Sequence, residues 1–138
     1  MEQARGWLID KSALARLPRS PDSELWQRRI ARGRVHVSSI TLLEIGFSAR
    51  SEHDWDTLQQ EPPVSDMPVD GITPRAESRA LDVQRQLTER GTHRGPGLAD
   101  LLIAATAELQ HLAVLHVDRD FELIAEVTGQ PAERLIID

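Results

Sequence analysis

Residues 97–111, Gly-Leu-Ala-Asp-Leu-Leu-Ile-Ala-Ala-Thr-Ala-Glu-Leu-Gln-His, constrain the fold more than any other stretch of the chain. Ala and Leu dominate, and no Gly or Pro interrupts the interior, so this is the strongest helix signal present. Gly95, Pro96 and Gly97 form a loop just ahead of it. Leu98, Leu101, Leu102, Ala105 and Leu109 recur at helical spacing, and Ile103 and Ala104 widen the apolar face. The pattern predicts a central helix buried on most sides. One charge, Asp100, falls in its first turn. Taken alone, it is an acid at a helix N-terminus, gaining about 0.3–1 kcal/mol from the dipole.

The rest of the chain must supply a core around that helix. At 138 residues and 40% hydrophobic content, residues 1–138 are enough for a single folded domain. No apolar run approaches the roughly 20 residues a membrane helix needs. The start, Met-Glu-Gln-Ala-Arg-Gly, lacks the basic-then-apolar pattern of an export signal, so a cytoplasmic location is expected. The absence of Cys excludes disulfides, thiolate catalysis and Cys-based zinc sites. The net charge of −6 has the wrong sign for a nucleic-acid binder, because phosphate contacts need local positive charge. Either nucleic acid is not the ligand, or the acids cluster around cations while arginines line a groove. Two arginine groups, Arg28, Arg29, Arg32, Arg34 and Arg75, Arg79, Arg85, read by default as solvated helix faces.

In chain order, Trp7-Leu8-Ile9 is a short strand with Asp10 at its carboxyl end. A short helix from Ser12 to Leu17 ends at Pro18. Ser20-Pro21-Asp22 opens a helix that turns Leu25, Trp26 and Ile30 inward and ends at Gly33. Val35-His36-Val37 is a second strand. A helix follows from Ser39 or Thr41, where Thr41 and Glu44 have capping-box spacing. Glu44 lies between Leu43 and Ile45 in a helix that reads as largely buried, so its carboxylate needs a partner. Glu52 to Glu61 is a polar helix with Trp55 and Leu58 facing in. Met67-Pro68-Val69 suits an edge strand. Thr73-Pro74 opens another helix, ended by Gly91. After the central helix, Ala113 to Val117 is a strand ending in Asp118, with Asp120 the natural N-cap of a helix from Phe121 to Thr128. Leu135-Ile136-Ile137 reads as the last strand. Strands alternating with helices predict an α/β fold: a mainly parallel twisted sheet of four to five short strands, with helices on both faces. Ligands of such sheets bind beyond the carboxyl ends of the strands.

Asp10 and Asp118 each end a strand, while Glu44 and Asp100 each lie near a helix start. In a parallel sheet, strand ends and helix starts meet at one edge, so four carboxylates converge. Close carboxylates repel and raise one another's pKa, which makes them a poor stability device. A hard divalent cation resolves the repulsion: Mg²⁺ or Mn²⁺ takes oxygen ligands and suits phosphodiester hydrolysis. Such chemistry needs no catalytic His, Cys or Lys. His36, His53, His93, His111 and His116 show no zinc spacing and read as structural or surface residues.

Four segments in order, Leu8-Ile-Asp-Lys-Ser-Ala13, Thr41-Leu-Leu-Glu-Ile45, Leu98-Ala-Asp-Leu-Leu-Ile-Ala-Ala105 and Val114-Leu-His-Val-Asp-Arg-Asp-Phe121, closely resemble PIN-domain ribonucleases. Within that family they resemble the VapC toxins of bacterial toxin–antitoxin pairs. The resemblance spans Trp7 to Ile137, and the ordered set is more specific than any one motif. It implies a PIN-like fold and an RNA-cleaving activity dependent on Mg²⁺ or Mn²⁺. It implies Asp10, Glu44 and Asp100 as metal ligands, with Asp118 as fourth acid. Asp120 is a further candidate ligand, and Ser12 is the hydroxyl supporting the first acid. It also implies a VapB-type antitoxin and a homodimer. Lys11 departs from the Thr common after the first Asp, and His116 from the Thr or Ser found in many relatives. Neither change removes a carboxylate.

Three other readings stand beside this one. An aspartyl-phosphate phosphatase would carry an acid where Ser12 stands. A catalytically silent PIN-like module would only bind a protein, its acids serving as caps. A metal nuclease directed at DNA would use the same acids.

Overall fold

A computed structural model describes residues 5–138. Met1 to Ala4, on which most of the export-signal reading rests, lie outside the described residues. Five strands form one sheet: β1 (Trp7–Ile9), β2 (Val35–Ser38), β3 (Val69–Asp70), β4 (Ala113–His116) and β5 (Ala132–Arg134), in the order β3-β2-β1-β4-β5. Every pairing is parallel, with Ile9 opposite both Val37 and Leu115. The helices are α1 (Lys11–Leu14), α2 (Ser23–Ala31), α3 (Ser39–Phe47), α4 (Glu52–Gln60), α5 (Pro74–Glu89), α6 (Leu98–Leu109) and α7 (Arg119–Thr128). Among the described residues, no helix is long and apolar enough to cross a membrane.

The two-residue period of the strands divides the core. Leu8 and Val114 point to one face, where they meet α5, α6 and α7 through Leu87, Ile103, Phe121 and Ile124. Ile9, Val37 and Leu115 point to the other, against Ala13, Trp26 and Ile30 of α1 and α2. Both faces are therefore covered, which is why the central strands read as continuous apolar runs. Helix α6 is the central element: residues Ile103 to Ala107 are all buried.

Several boundaries differ from the sequence reading. The last strand is Ala132–Arg134, not Leu135-Ile136-Ile137. It is an edge strand paired only with β4, so it needs no apolar run; Leu135 follows it and buries its side chain, while Ile136 is exposed. Helix α3 is capped by Ser38, whose Oγ accepts from Ile40 N–H at 3.1 Å, so Thr41 and Glu44 do not form a capping box. That helix is not largely buried either: Leu43 is 74% and Phe47 92% exposed. Helix α2 starts at Ser23 rather than at Pro21; Ser20 Oγ instead accepts from Asp22 N–H in the preceding turn. Helix α7 starts two residues earlier than Phe121, and its cap is Asp118, whose carboxylate accepts from Asp120 N–H at 2.9 Å. Asp120 is thereby released from capping.

Gly6 shows how tightly the chain enters the sheet. A Cβ there would lie 2.3 Å from the Arg34 carbonyl oxygen, a backbone atom that cannot swing away. Gly33, in the left-handed region at φ 71°, has open space instead. Urea unfolding should therefore rank Gly6→Ala as clearly more destabilising than Gly33→Ala, which costs only the ~1–2 kcal/mol of left-handed strain. Equal costs would contradict the close approach.

Candidate metal centre

The sheet order changes direction at β1, which has β2 on one side and β4 on the other. Crevices at such switch points open beyond the carboxyl ends of the strands. Asp10 leaves β1 there and caps α1, its Oδ1 accepting from Ala13 N–H at 3.1 Å. Asp118 follows β4 and caps α7. Asp100 stands in the first turn of α6 and accepts from Gly97 N–H at 3.2 Å. Glu44 rises from α3, which follows β2 directly.

Oxygens of Asp100, Asp118 and Asp120 lie within 4.8 Å of one another and could together hold a metal ion. Asp10 connects this group to Glu44. Its charge lifts the pKa of Asp100 on one side and of Glu44 on the other. Burial is the largest influence on all of these shifted acids and moves Asp10, Glu44, Asp100 and Asp120 in the same direction, upward. Asp100 is pushed up to about 6, first by burial, then by the charges of Asp118, Asp120 and Asp10. Lys11 partly offsets the shift of Glu44, and Arg119 that of Asp120. Five acids thus behave as one electrostatic unit. An all-oxygen anionic donor set strained by its own charge suits a hard divalent cation.

Two neighbours hold the acids in place. Ser12 Oγ lies 2.7 and 2.9 Å from the two Asp10 oxygens, to which it can donate, and it accepts from Val117 N–H at 2.9 Å. One hydroxyl therefore fixes the first acid against the exit of β4. His116 is buried, and its Nδ1 accepts from Asp118 N–H at 3.1 Å. Burial lowers its pKa, so the ring stays neutral and keeps the accepting nitrogen free of a proton. The reading of His116 as a structural residue holds: it is buried and supports the backbone that carries Asp118. Its place two residues before an acid was the available signal.

A second feature adjoins the site. A largely apolar groove of about 650 Å³ runs between α1 and α2 on one side and α3 and α4 on the other. Leu14, Leu17, Trp26, Ile30, Ile45 and Leu58 line it. It meets the acid centre at Lys11, next to Asp10, and at Ile45, next to Glu44.

This fold and this acid-lined edge define a class. A PIN domain family model matches residues 7–127, and the chain belongs to the PIN-domain family. Among its relatives is Ribonuclease VapC2 of Mycobacterium tuberculosis, 60% identical over 129 residues that cover 94% of this chain and 92% of that protein. Ribonuclease VapC51 of the same species is 40% identical, covering 94% and 93%. The fold also matches a chain in the DNA-bound VapBC structure from Salmonella typhimurium, with TM-score 0.72, 20% identity, and coverage of 94% and 97%.

The raised pKa of Asp100 fixes a pH dependence. A carboxyl whose folded pKa exceeds its ordinary 3.8 is a stability cost once ionised. That cost is full above about pH 6 and fades as pH falls toward 4. In metal-free buffer at pH 7.5, Asp100→Asn should raise stability by about 1–2 kcal/mol, the full shift being discounted for partial exposure. The gain should vanish near pH 4. Mn²⁺ should stabilise the natural chain and have little effect on the variant. Thermal melts check this, and a variant less stable at pH 7.5 than at pH 4 relative to the natural chain would contradict it.

Proposed function

We propose that this chain is a metal-dependent endoribonuclease acting as the toxin of a type II toxin–antitoxin pair. Residues 1–138 work as one PIN unit in the cytoplasm. The observation that carries the reading is the convergence of Glu44, Asp10, Asp100, Asp118 and Asp120 on one sheet edge, where burial raises the pKa of Asp10, Glu44, Asp100 and Asp120 and neighbouring acids add to the rise at Glu44, Asp100 and Asp120. As caps alone these acids would be a liability. The names of the VapC relatives, at 60% and 40% identity, agree with it.

Asp100, Asp118 and Asp120, with Asp10, would hold Mg²⁺ or Mn²⁺, and Glu44 would complete the acidic lining. Bound there, the ion supplies a water of lowered pKa and positive charge at the phosphate oxygens. Ser12 fixes the Asp10 carboxylate, and neutral His116 fixes the backbone that carries Asp118. Asp100 is positioned by the Gly97 N–H. The Glu44 carboxylate, its pKa raised by burial, would close the row of acids at the Asp10 end.

RNA cleavage should require Mg²⁺ or Mn²⁺, stop in chelator, and leave 5′-phosphate and 3′-hydroxyl ends. Asp10→Asn, Glu44→Gln and Asp100→Asn should each lose at least about 100-fold while remaining folded, the scale of removing one group that stabilises the transition state. Cleavage in chelator with cyclic phosphate ends would overturn the mechanism. Cleavage of matched DNA at the same rate would redirect the substrate assignment.

An active ribonuclease needs restraint. A VapB-type antitoxin segment would occupy the apolar groove and bring an Arg or Lys to the acids, pairing with carboxylates and excluding metal and RNA together. Trp26 forms part of the groove wall, whereas Trp55 covers Gly46 and Leu25 lies outside the lining. A second copy of the chain would cover the exposed Leu43 and Phe47, one turn apart on α3. Co-expression with the neighbouring antitoxin gene should give a complex with little cleavage, and light scattering on the same sample should read two toxin copies. A complex that cleaves as fast as the free chain would exclude occlusion.

A further inference from the structure

Lys11 and Arg119 occupy matching places. Each directly follows an aspartate that caps a helix, Asp10 before α1 and Asp118 before α7. Strands β1 and β4 are adjacent and parallel, and Ser12 Oγ accepts from Val117 N–H across their exits, so both Asp–cation pairs emerge side by side at the acid edge. Lys11 borders the Glu44 end of the acid row and Arg119 the Asp120 end. Both side chains are exposed. Among the described residues neither makes an ion pair within 4.0 Å, although acids lie one residue away. Elsewhere Arg79 is closed onto Glu108 and Arg134 onto Glu122.

Helix stability does not account for these cations. A positive charge at the first helical position faces the positive end of the helix dipole, which favours acids there. The substrate problem does account for them. Five acids on a chain of net charge −6 repel a polyanion, and nucleic-acid backbones are held by local Lys and Arg charge.

We propose that Lys11 and Arg119 form a two-point clamp on the sugar-phosphate backbone of the substrate, one at each end of the carboxylate row. They are positioning residues, and the assignment rests on the nuclease reading above. Lysine acts at one phosphate as a point charge and arginine at the other as a bidentate donor.

The test uses the full chain and a single-stranded RNA oligonucleotide with constant Mg²⁺ and varied KCl. Lys11→Ala and Arg119→Ala should each lower kcat/KM about 10-fold at 0.15 M salt, through KM, with kcat within threefold. Each should flatten the slope of log(kcat/KM) against log[K⁺] by about 0.7, the value for one lost single-strand phosphate contact. Lys11→Arg and Arg119→Lys should restore most of the loss. Arg28→Ala, on the exposed end of α2 leading to the opposite sheet edge, should change neither. Oligonucleotide binding to Asp100→Asn, alone and with each Ala change, measures the same slopes without cleavage. If the natural chain cleaves no RNA, the nuclease reading fails while the binding slopes still judge the clamp. Unchanged slopes in both alanine variants, or a fall in kcat at unchanged KM, would overturn it.

Discussion

The parallel pairing of β1 with β4 is the constraint on which the rest depends. It brings the chain out of both strands at one edge, with Asp10 directly after β1 and Asp118 two residues past the end of β4. Ser12 closes the pair by touching Asp10 and the backbone of Val117 at once. The resulting crowd of carboxylates works against folding at neutral pH. It persists because the strands beneath it are anchored by fully buried Leu8, Ile9, Val114 and Leu115 on two faces of the sheet. Burial of those side chains, worth roughly 1.5–3 kcal/mol each, outweighs the repulsion at the edge.

Positive charge is distributed with similar economy. Arg29 lies over the rings of both Trp7 and Trp26, at 4.5 and 4.4 Å from their centroids, and Arg79 is held by Glu108 and Asp82. These arginines serve packing and are not free for a ligand. The cations left at the acid edge are few, which gives Lys11 and Arg119 their weight. The reading of both arginine groups as plain solvated faces therefore needs amending at Arg29 and Arg79, where the side chains are part-buried.

Much of this was legible in the sequence. The apolar run of α6, the strands ending in acids and the alternation of elements led to a mainly parallel sheet of four to five strands, which has five, and to the expectation that the acids meet at one edge of it. What was not legible depended on tertiary contacts. Whether Asp118 or Asp120 caps α7 turns on where the chain leaves β4, and both residues cap well. The helix that carries the exposed Leu43 and Phe47 read as largely buried because apolarity in a helix does not reveal which face has a neighbour. The last strand was placed late because its pairing residues, Ala132 to Arg134, carry no apolar signal.

The central claim is that the acids at this edge form a metal centre. Crystals of the chain soaked in Mn²⁺, with anomalous diffraction recorded, test it directly. The account predicts a peak among Asp100, Asp118 and Asp120, within reach of Asp10, and its loss in Asp100→Asn. A peak elsewhere, or none at millimolar Mn²⁺, would contradict it.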